Sequence, residues 1–103
     1  MAKSETHFVY MLLCRGNRLY TGYATDAEAR YRKHCAGKGA RFTRAFPPLE
    51  LLCVIPVLTR SEGLKLEAAL KTQNRRRKNI LVFAIQRLGA NIALRLLSPR
   101  PLQ

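Results

Sequence analysis

Residues 8–24 read FVYMLLCRGNRLYTGYA, and this stretch decides the fold of the chain. Phe8 to Cys14 would be apolar on both faces of a strand, which is typical of a central strand. Leu19 to Ala24 is rich in Tyr and Thr, which favours a second strand. The turn residues between the two runs predict that they form a hairpin.

The length of the hairpin loop decides which way Tyr10 and Tyr20 point. With a two-residue turn at 16–17, the two phenols would lie on opposite faces of the hairpin. A three-residue loop at 15–17 shifts the register by one and puts both phenols on the same face. We predict the odd-numbered loop, and opposite faces would rule out a site shared by the two tyrosines.

The rest of the sequence predicts one further strand and three helices. Capping-box patterns at Thr25–Glu28 and Thr59–Glu62 predict two helix starts, and Gly89 predicts the end of a third helix. Pro56 indicates that the third strand ends early, bulges or lies at a sheet edge. The predicted helices span about 25–36, about 59–72 and about 75–88, and the predicted strand about 49–58.

This order of elements predicts a small α+β domain with a three-stranded, mainly antiparallel sheet and about three flanking helices. A chain of 103 residues fits one domain, which we expect to span residues 1–103. Residues 91–97 could add a short element, and residues 98–103 are expected to form a loose tail.

The chain is strongly basic, which restricts the partners it can have. Lys and Arg total 19 against 6 Asp and Glu, so the formal net charge is +13. This excess favours a polyanionic partner, most simply nucleic acid, whether DNA or RNA, bound largely through phosphates, with an acidic membrane as the rival. No membrane partner is expected, because no apolar run approaches the roughly 20 residues that span a bilayer. Three separated cysteines without a C-x-x-C pattern indicate reduced thiols in a cytoplasmic protein.

Four side chains could act on a phosphodiester. Arg30 and His34 are four residues apart on a predicted helix and share a face. Arg30 could hold a phosphate in a forked contact, and His34 could exchange protons with a phosphate oxygen or a leaving group. Tyr10 and Tyr20 could position or deprotonate a water. The alternatives are a solvated basic helix face and ordinary aromatic packing.

Glu67 is the acid best placed to hold a divalent metal, since it flanks the apolar stripe of its predicted helix. The alternative is an ion pair with Lys71 one helical turn later. A two-metal nuclease site needs several converging carboxylates, which this chain lacks. Any metal mechanism should therefore use one ion with a mostly water shell, which suits magnesium.

Two groups of basic residues are candidate nucleic-acid contacts, although a charge run is usually a solvated face. The first lies in a predicted loop at residues 37–44, and the second opens the third helix. The candidate contacts are Lys38, Arg41 and Arg44 in the loop, Arg75, Arg76, Arg77 and Lys78 in the third helix, and Lys71 at the end of the second helix.

Taken together, these motifs resemble the GIY-YIG nuclease superfamily. The resemblance rests on five features in order: the strings at 9–11 and 20–22, the Arg30 and His34 pair, the basic loop at 37–44, and Glu67 with Lys71. It is closest to small stand-alone bacterial members and to the Slx1-type nuclease domain, and covers about residues 8–82.

The resemblance implies a three-stranded antiparallel sheet with flanking helices and metal-dependent cleavage of DNA. Tyr10 looks like the first motif tyrosine, a general base or water-positioning group, and Tyr20 looks like the second. Arg30 looks like the clamp on the transition-state phosphate, and His34 like the histidine beside the scissile phosphate. Glu67 looks like the sole ligand of one Mg²⁺ or Mn²⁺.

The leading hypothesis is therefore a divalent-metal-dependent DNA endonuclease, with repair or recombination as its setting. The main alternative is a non-catalytic nucleic-acid-binding protein on the same fold. A third hypothesis is a basic protein that docks on a larger assembly through an apolar patch at residues 80–85, a stretch that is more simply read as core. The sequence does not indicate an oligomeric state.

Overall fold

The hairpin forms two strands of a three-stranded antiparallel sheet in the computed structural model, which describes residues 6–89. β1 (His7–Cys14) is the central strand and pairs with β2 (Arg18–Ala24) on one side and β3 (Pro48–Val57) on the other. β3 is an edge strand, which is where Pro56, opposite Phe8, can be accommodated. Two register irregularities lie nearer the start of β3, between Met11 and Leu12 and between Leu13 and Cys14 of β1. The predicted α+β class and sheet are confirmed, whereas residues 91–103 lie outside the described part.

The hairpin loop has the predicted odd length. Cys14 pairs with Arg18, which leaves the three loop residues 15–17. Gly16 and Asn17 both have positive φ angles, 76° and 57°, a region that glycine and asparagine tolerate better than most residues. The guanidinium of Arg75 donates hydrogen bonds to the backbone oxygen of Asn17 and, at 2.9 Å, to its side-chain oxygen. These contacts hold the loop in the register that puts both motif tyrosines on one face.

Four helices flank the sheet rather than about three. They are α1 (Ala27–Cys35), α2 (Arg41–Ala45), α3 (Arg60–Lys71) and α4 (Arg75–Leu88). Thr59 caps α3 as predicted, with its hydroxyl accepting the Glu62 N–H at 3.1 Å. The cap of α1 is Asp26, one residue later than the sequence pattern indicated, and its carboxylate accepts the Ala29 N–H at 3.0 Å.

The short helix α2 corrects the prediction that residues 37–44 form only a loop. Five residues give too few positions for a 3.6-residue hydrophobic period to be visible in the sequence. The helix is held by tertiary packing instead: Thr43 is buried, and Phe42 packs against the sheet face that carries Tyr10.

The helices cover the two faces of the sheet in pairs. α1 and α2 lie over the face that carries Tyr10, and α3 and α4 over the face that carries Met11. Within residues 80–85 of α4, three side chains enter the core, while Ile80 and Phe83 remain exposed. None of the helices within residues 6–89 is long and apolar enough to cross a membrane.

Candidate active site

A buried hydrogen bond joins the first motif tyrosine to the helix histidine. The Oη of Tyr10 on β1 lies 2.7 Å from the Nε2 of His34 in the last turn of α1. Each residue is only 1 % exposed. The second motif tyrosine, Tyr20 on β2, is partly exposed and packs its ring against that of His34 with centroids 5.0 Å apart. Tyr10, Tyr20 and His34 therefore form one compact group, which we call the aromatic cluster.

The other ring nitrogen of His34 also has a buried partner. Its Nδ1 lies 2.7 Å from the hydroxyl oxygen of Thr43 on α2. That hydroxyl donates to the backbone carbonyl of Ala40 at 3.2 Å. Thr43 was not among the candidate site residues, because only the basic residues of the predicted loop at 37–44 were candidates. Its helical position and its contact with His34 depend on tertiary packing.

Two glycines leave the space that the aromatic cluster occupies. A Cβ on Gly22 of the second tyrosine string would lie 2.4 Å from the Oη of Tyr10, and a Cβ on Gly39 would lie 2.2 Å from the Nδ1 of His34. Both distances are far shorter than van der Waals contact. These glycines are therefore required for close approach of a side chain to the backbone rather than for an unusual φ angle.

Arg30 on α1 and Glu67 on α3 both influence the ionisation of Tyr10. Burial raises the pKa of the Tyr10 phenol, with further upward contributions from the neighbouring Tyr20 and from the negative charge of Glu67, while Arg30 acts in the opposite direction. Both charges are thus close enough to Tyr10 to affect its ionisation. Arg30 is exposed and borders a hollow of about 210 Å³ that Lys33 also lines.

The histidine at the centre of the cluster is neutral at neutral pH. Burial lowers the pKa of His34, and the positive charge of Arg30 lowers it further. A histidine with an ordinary pKa of about 6.5 that is shifted downwards carries no charge at pH 7. One ring nitrogen of His34 is therefore available as a proton acceptor.

Glu67 makes the contact that the sequence offered as the alternative to metal binding. Its carboxylate lies 3.0 Å from the ammonium of Lys71, and its side chain is 19 % exposed. No group of three or more His, Cys, Asp and Glu side chains that could hold a metal occurs within the described residues. A single carboxylate fits one hard cation whose remaining ligands are water and substrate oxygens, and the metal itself stays a prediction.

The candidate nucleic-acid contacts do not form one patch. Lys38, Arg41 and Arg44 line a hollow of about 180 Å³ at α2. Arg75 is engaged with the hairpin loop, and Lys71 with Glu67. The remaining candidates, Arg76, Arg77 and Lys78, lie in the first turn of α4, on the opposite side of the sheet from α2.

Comparison with known proteins shows which family the chain belongs to. Residues 6–79 match the family model described as the GIY-YIG catalytic domain. A UPF0213 protein of Staphylococcus epidermidis is 46 % identical over 74 residues, which cover 72 % of this chain and 90 % of that protein. A UPF0213 protein of Staphylococcus aureus is 42 % identical over 78 residues, which cover 76 % of this chain and 95 % of that protein.

A solved structure shares the fold. The solution NMR structure of the UPF0213 protein BH0048 from Bacillus halodurans has a TM-score of 0.51 and 34 % sequence identity, covering 85 % of this chain and 90 % of that chain. These relatives are small bacterial proteins that this chain spans almost completely. The closer likeness to Slx1-type nuclease domains stays a prediction.

Proposed function

Because the chain belongs to the GIY-YIG nuclease family, we propose that it is a divalent-metal-dependent endonuclease that cleaves DNA phosphodiester bonds. One observation carries the proposal: the aromatic cluster brings two phenols and a neutral imidazole together where Arg30 and Glu67 act on the same phenol. A tyrosine in ordinary core packing need not lie within electrostatic reach of a charge of each sign.

Tyr10 and His34 would activate the attacking water together. The raised pKa of Tyr10 means that its phenol is protonated at neutral pH and cannot accept a proton unless it gives one up. The neutral imidazole of His34, with its Nε2 at 2.7 Å, supplies the acceptor. Tyr10 would thus pass a proton from water to His34, a more specific role than general base or water-positioning group.

Arg30 would bind the phosphate that is attacked. Its guanidinium is exposed and positively charged. It can donate two parallel hydrogen bonds to phosphate oxygens, whose negative charge grows in the transition state. The neighbouring hollow and Lys33 would accommodate adjacent phosphate backbone.

Glu67 would hold the single Mg²⁺ or Mn²⁺ through its carboxylate. When bound, such an ion would neutralise negative charge on the phosphate and on the leaving oxygen. Lys71 would then release or share the carboxylate that it pairs with in the free protein. The small number of carboxylates in the chain favours one ion over two.

The partner in this proposal is DNA, with RNA as the second substrate to test, because the net charge of +13 suits any phosphate backbone. The basic hollow at α2 lies on the same side of the sheet as the aromatic cluster and is the preferred backbone contact. We place the enzyme in the cytoplasm, in DNA repair or recombination, and a further protein could direct it to its substrate.

The test is a cleavage assay with paired variants. The pure protein is incubated with branched, nicked and linear DNA, with and without Mg²⁺ or Mn²⁺. We expect metal-dependent cleavage that falls at least roughly 100-fold in Arg30→Ala and Glu67→Gln, the size typical of losing a transition-state contact. Arg32→Ala on α1 and Glu62→Gln on α3 are matched controls from the same helices and should cleave normally.

The outcomes separate the proposal from its main alternative. Salt-sensitive DNA binding without cleavage in any metal would favour a non-catalytic binding protein. Cleavage that survives both Arg30→Ala and Glu67→Gln would show that the activity lies elsewhere or comes from a contaminant.

A further inference from the structure

Thr43 contacts His34 at the nitrogen that faces away from Tyr10. Its oxygen lies 2.7 Å from Nδ1 and 3.2 Å from the carbonyl oxygen of Ala40, and the residue is 1 % exposed. A carbonyl oxygen only accepts, so the single hydroxyl proton belongs on the bond to Ala40. The Thr43 oxygen then presents a lone pair to His34, and this bond requires a proton on Nδ1.

The opposite end of the ring leads to the same conclusion. Within residues 6–89, the phenol of Tyr10 has His34 as its hydrogen-bond partner and no second side-chain or backbone acceptor. If Nε2 carried the ring proton, the buried phenol proton would have no acceptor. With the proton on Nδ1, each hydrogen bond in the series from Tyr10 through His34 and Thr43 to Ala40 has one donor and one acceptor.

We propose that Thr43 is a positioning residue that fixes His34 as the Nδ1-protonated tautomer and so keeps Nε2 as the proton acceptor facing Tyr10. The catalytic consequence rests on the proposed nuclease function, whereas the tautomer does not. In the proton transfer, water gives a proton to Tyr10 Oη as the Tyr10 proton moves to His34 Nε2. The resulting imidazolium keeps its Nδ1–H bond to Thr43 and later returns the added proton to solvent.

The position of Thr43 suits this role. It lies on α2, which is anchored by packing of Phe42 against the Tyr20 ring at a centroid distance of 5.6 Å. The absence of a side chain at Gly39 lets the backbone approach the same ring nitrogen. Both features hold the hydroxyl against His34 in the free protein, before any substrate is present.

The test reads the His34 ring directly by long-range ¹H–¹⁵N NMR at neutral pH. In the unmodified protein we expect a protonated Nδ1 and an unprotonated Nε2. Thr43→Ser should preserve this pattern, and the isosteric Thr43→Val should convert the ring to the other tautomer or to a mixture. Thr21→Val is a matched control, because Thr21 is a buried threonine whose hydroxyl has no hydrogen-bond partner among residues 6–89, and it should leave the His34 signals unchanged.

Activity provides the second readout. In the cleavage assay, Thr43→Val should lower kcat by roughly 10-fold to 100-fold, with KM nearly unchanged, and Thr43→Ser should restore most of it. An Nε2-protonated ring in the unmodified protein would overturn the proposal even if Thr43→Val failed to fold. An unchanged tautomer in folded Thr43→Val would also overturn it. Failure of all cleavage would refute the proposed function alone, since the NMR result stands without substrate.

Discussion

Replacing Gly22 by alanine places a methyl group where the Tyr10 phenol lies. The added Cβ would be 2.4 Å from Oη, 2.5 Å from Cζ and 3.0 Å from Cε1 of that ring. The ring is buried and cannot swing into solvent without leaving the core. We therefore expect the Gly22→Ala variant to displace Tyr10 and break its hydrogen bond to His34.

The size of the effect follows from these contacts. Overpacking a core costs about 1–3 kcal/mol, and leaving a buried hydrogen-bonding group unsatisfied costs about 1–3 kcal/mol more. A glycine with ordinary strand angles otherwise gains about 0.4–1 kcal/mol of stability on replacement by alanine. The net loss should be about 3 kcal/mol, within a range of about 1–5.5 kcal/mol, which lowers the urea midpoint of a small domain by about 1.5 M at a slope of about 2 kcal/mol per M.

The assay compares Gly22→Ala in two backgrounds by urea unfolding. In the Tyr10→Leu background all three crowded ring atoms are absent, so the clash disappears and only the conformational gain remains. Gly22→Ala should then stabilise by about 0.4–1 kcal/mol, and the sign of its effect should reverse between the backgrounds. Equal losses in both backgrounds, or a stabilising effect beside an intact Tyr10, would refute the placement of the phenol over Gly22.

Three further predictions concern other parts of the molecule. Burial and Arg30 lower the pKa of His34, so below about pH 6.5 the unfolded chain binds a proton that the folded chain does not. The free energy of unfolding should therefore fall as the pH drops through about 6.5. The urea midpoint of His34→Gln should fall less over the same pH range than that of the unmodified protein. Arg75→Gln should cost about 1 kcal/mol and speed hydrogen exchange of the hairpin-loop amides, because it removes the donors to Asn17. A thiol reagent should label Cys35 in the native protein, and the two buried cysteines only on unfolding, as mass spectrometry of the intact chain would show; labelling of all three native thiols would contradict the burial.

Much of the fold could be predicted because its signals are local. Alternation and turn residues indicate the hairpin, and a threonine cap fixes the start of α3. The three-residue loop was predicted from the requirement that Tyr10 and Tyr20 share a face, and the pairing of Cys14 with Arg18 confirms it. Helix spacing likewise put Arg30 and His34 on one side of α1.

The remaining parts of the site depend on contacts between distant residues. Thr43 reaches His34 only because α2 folds back over the sheet, and a five-residue helix leaves no periodic signal. Gly22 and Gly39 make room for side chains from other elements, which spacing does not reveal. Arg75 was predicted to contact nucleic acid, but its guanidinium is occupied by the loop residue Asn17.

The bond between Arg75 and the hairpin loop links the order of synthesis to the order of folding. The side chain that holds the loop lies 58 residues after Asn17. A chain made from its N-terminus therefore forms the first hairpin before that side chain exists. Until α4 docks, the three-residue loop lacks the hydrogen bonds from Arg75 and depends on its own turn residues and on the packing of Tyr10 and Tyr20 against His34. Docking of α4 then adds these bonds, so the last of the described helices to be made stabilises the turn of the first hairpin.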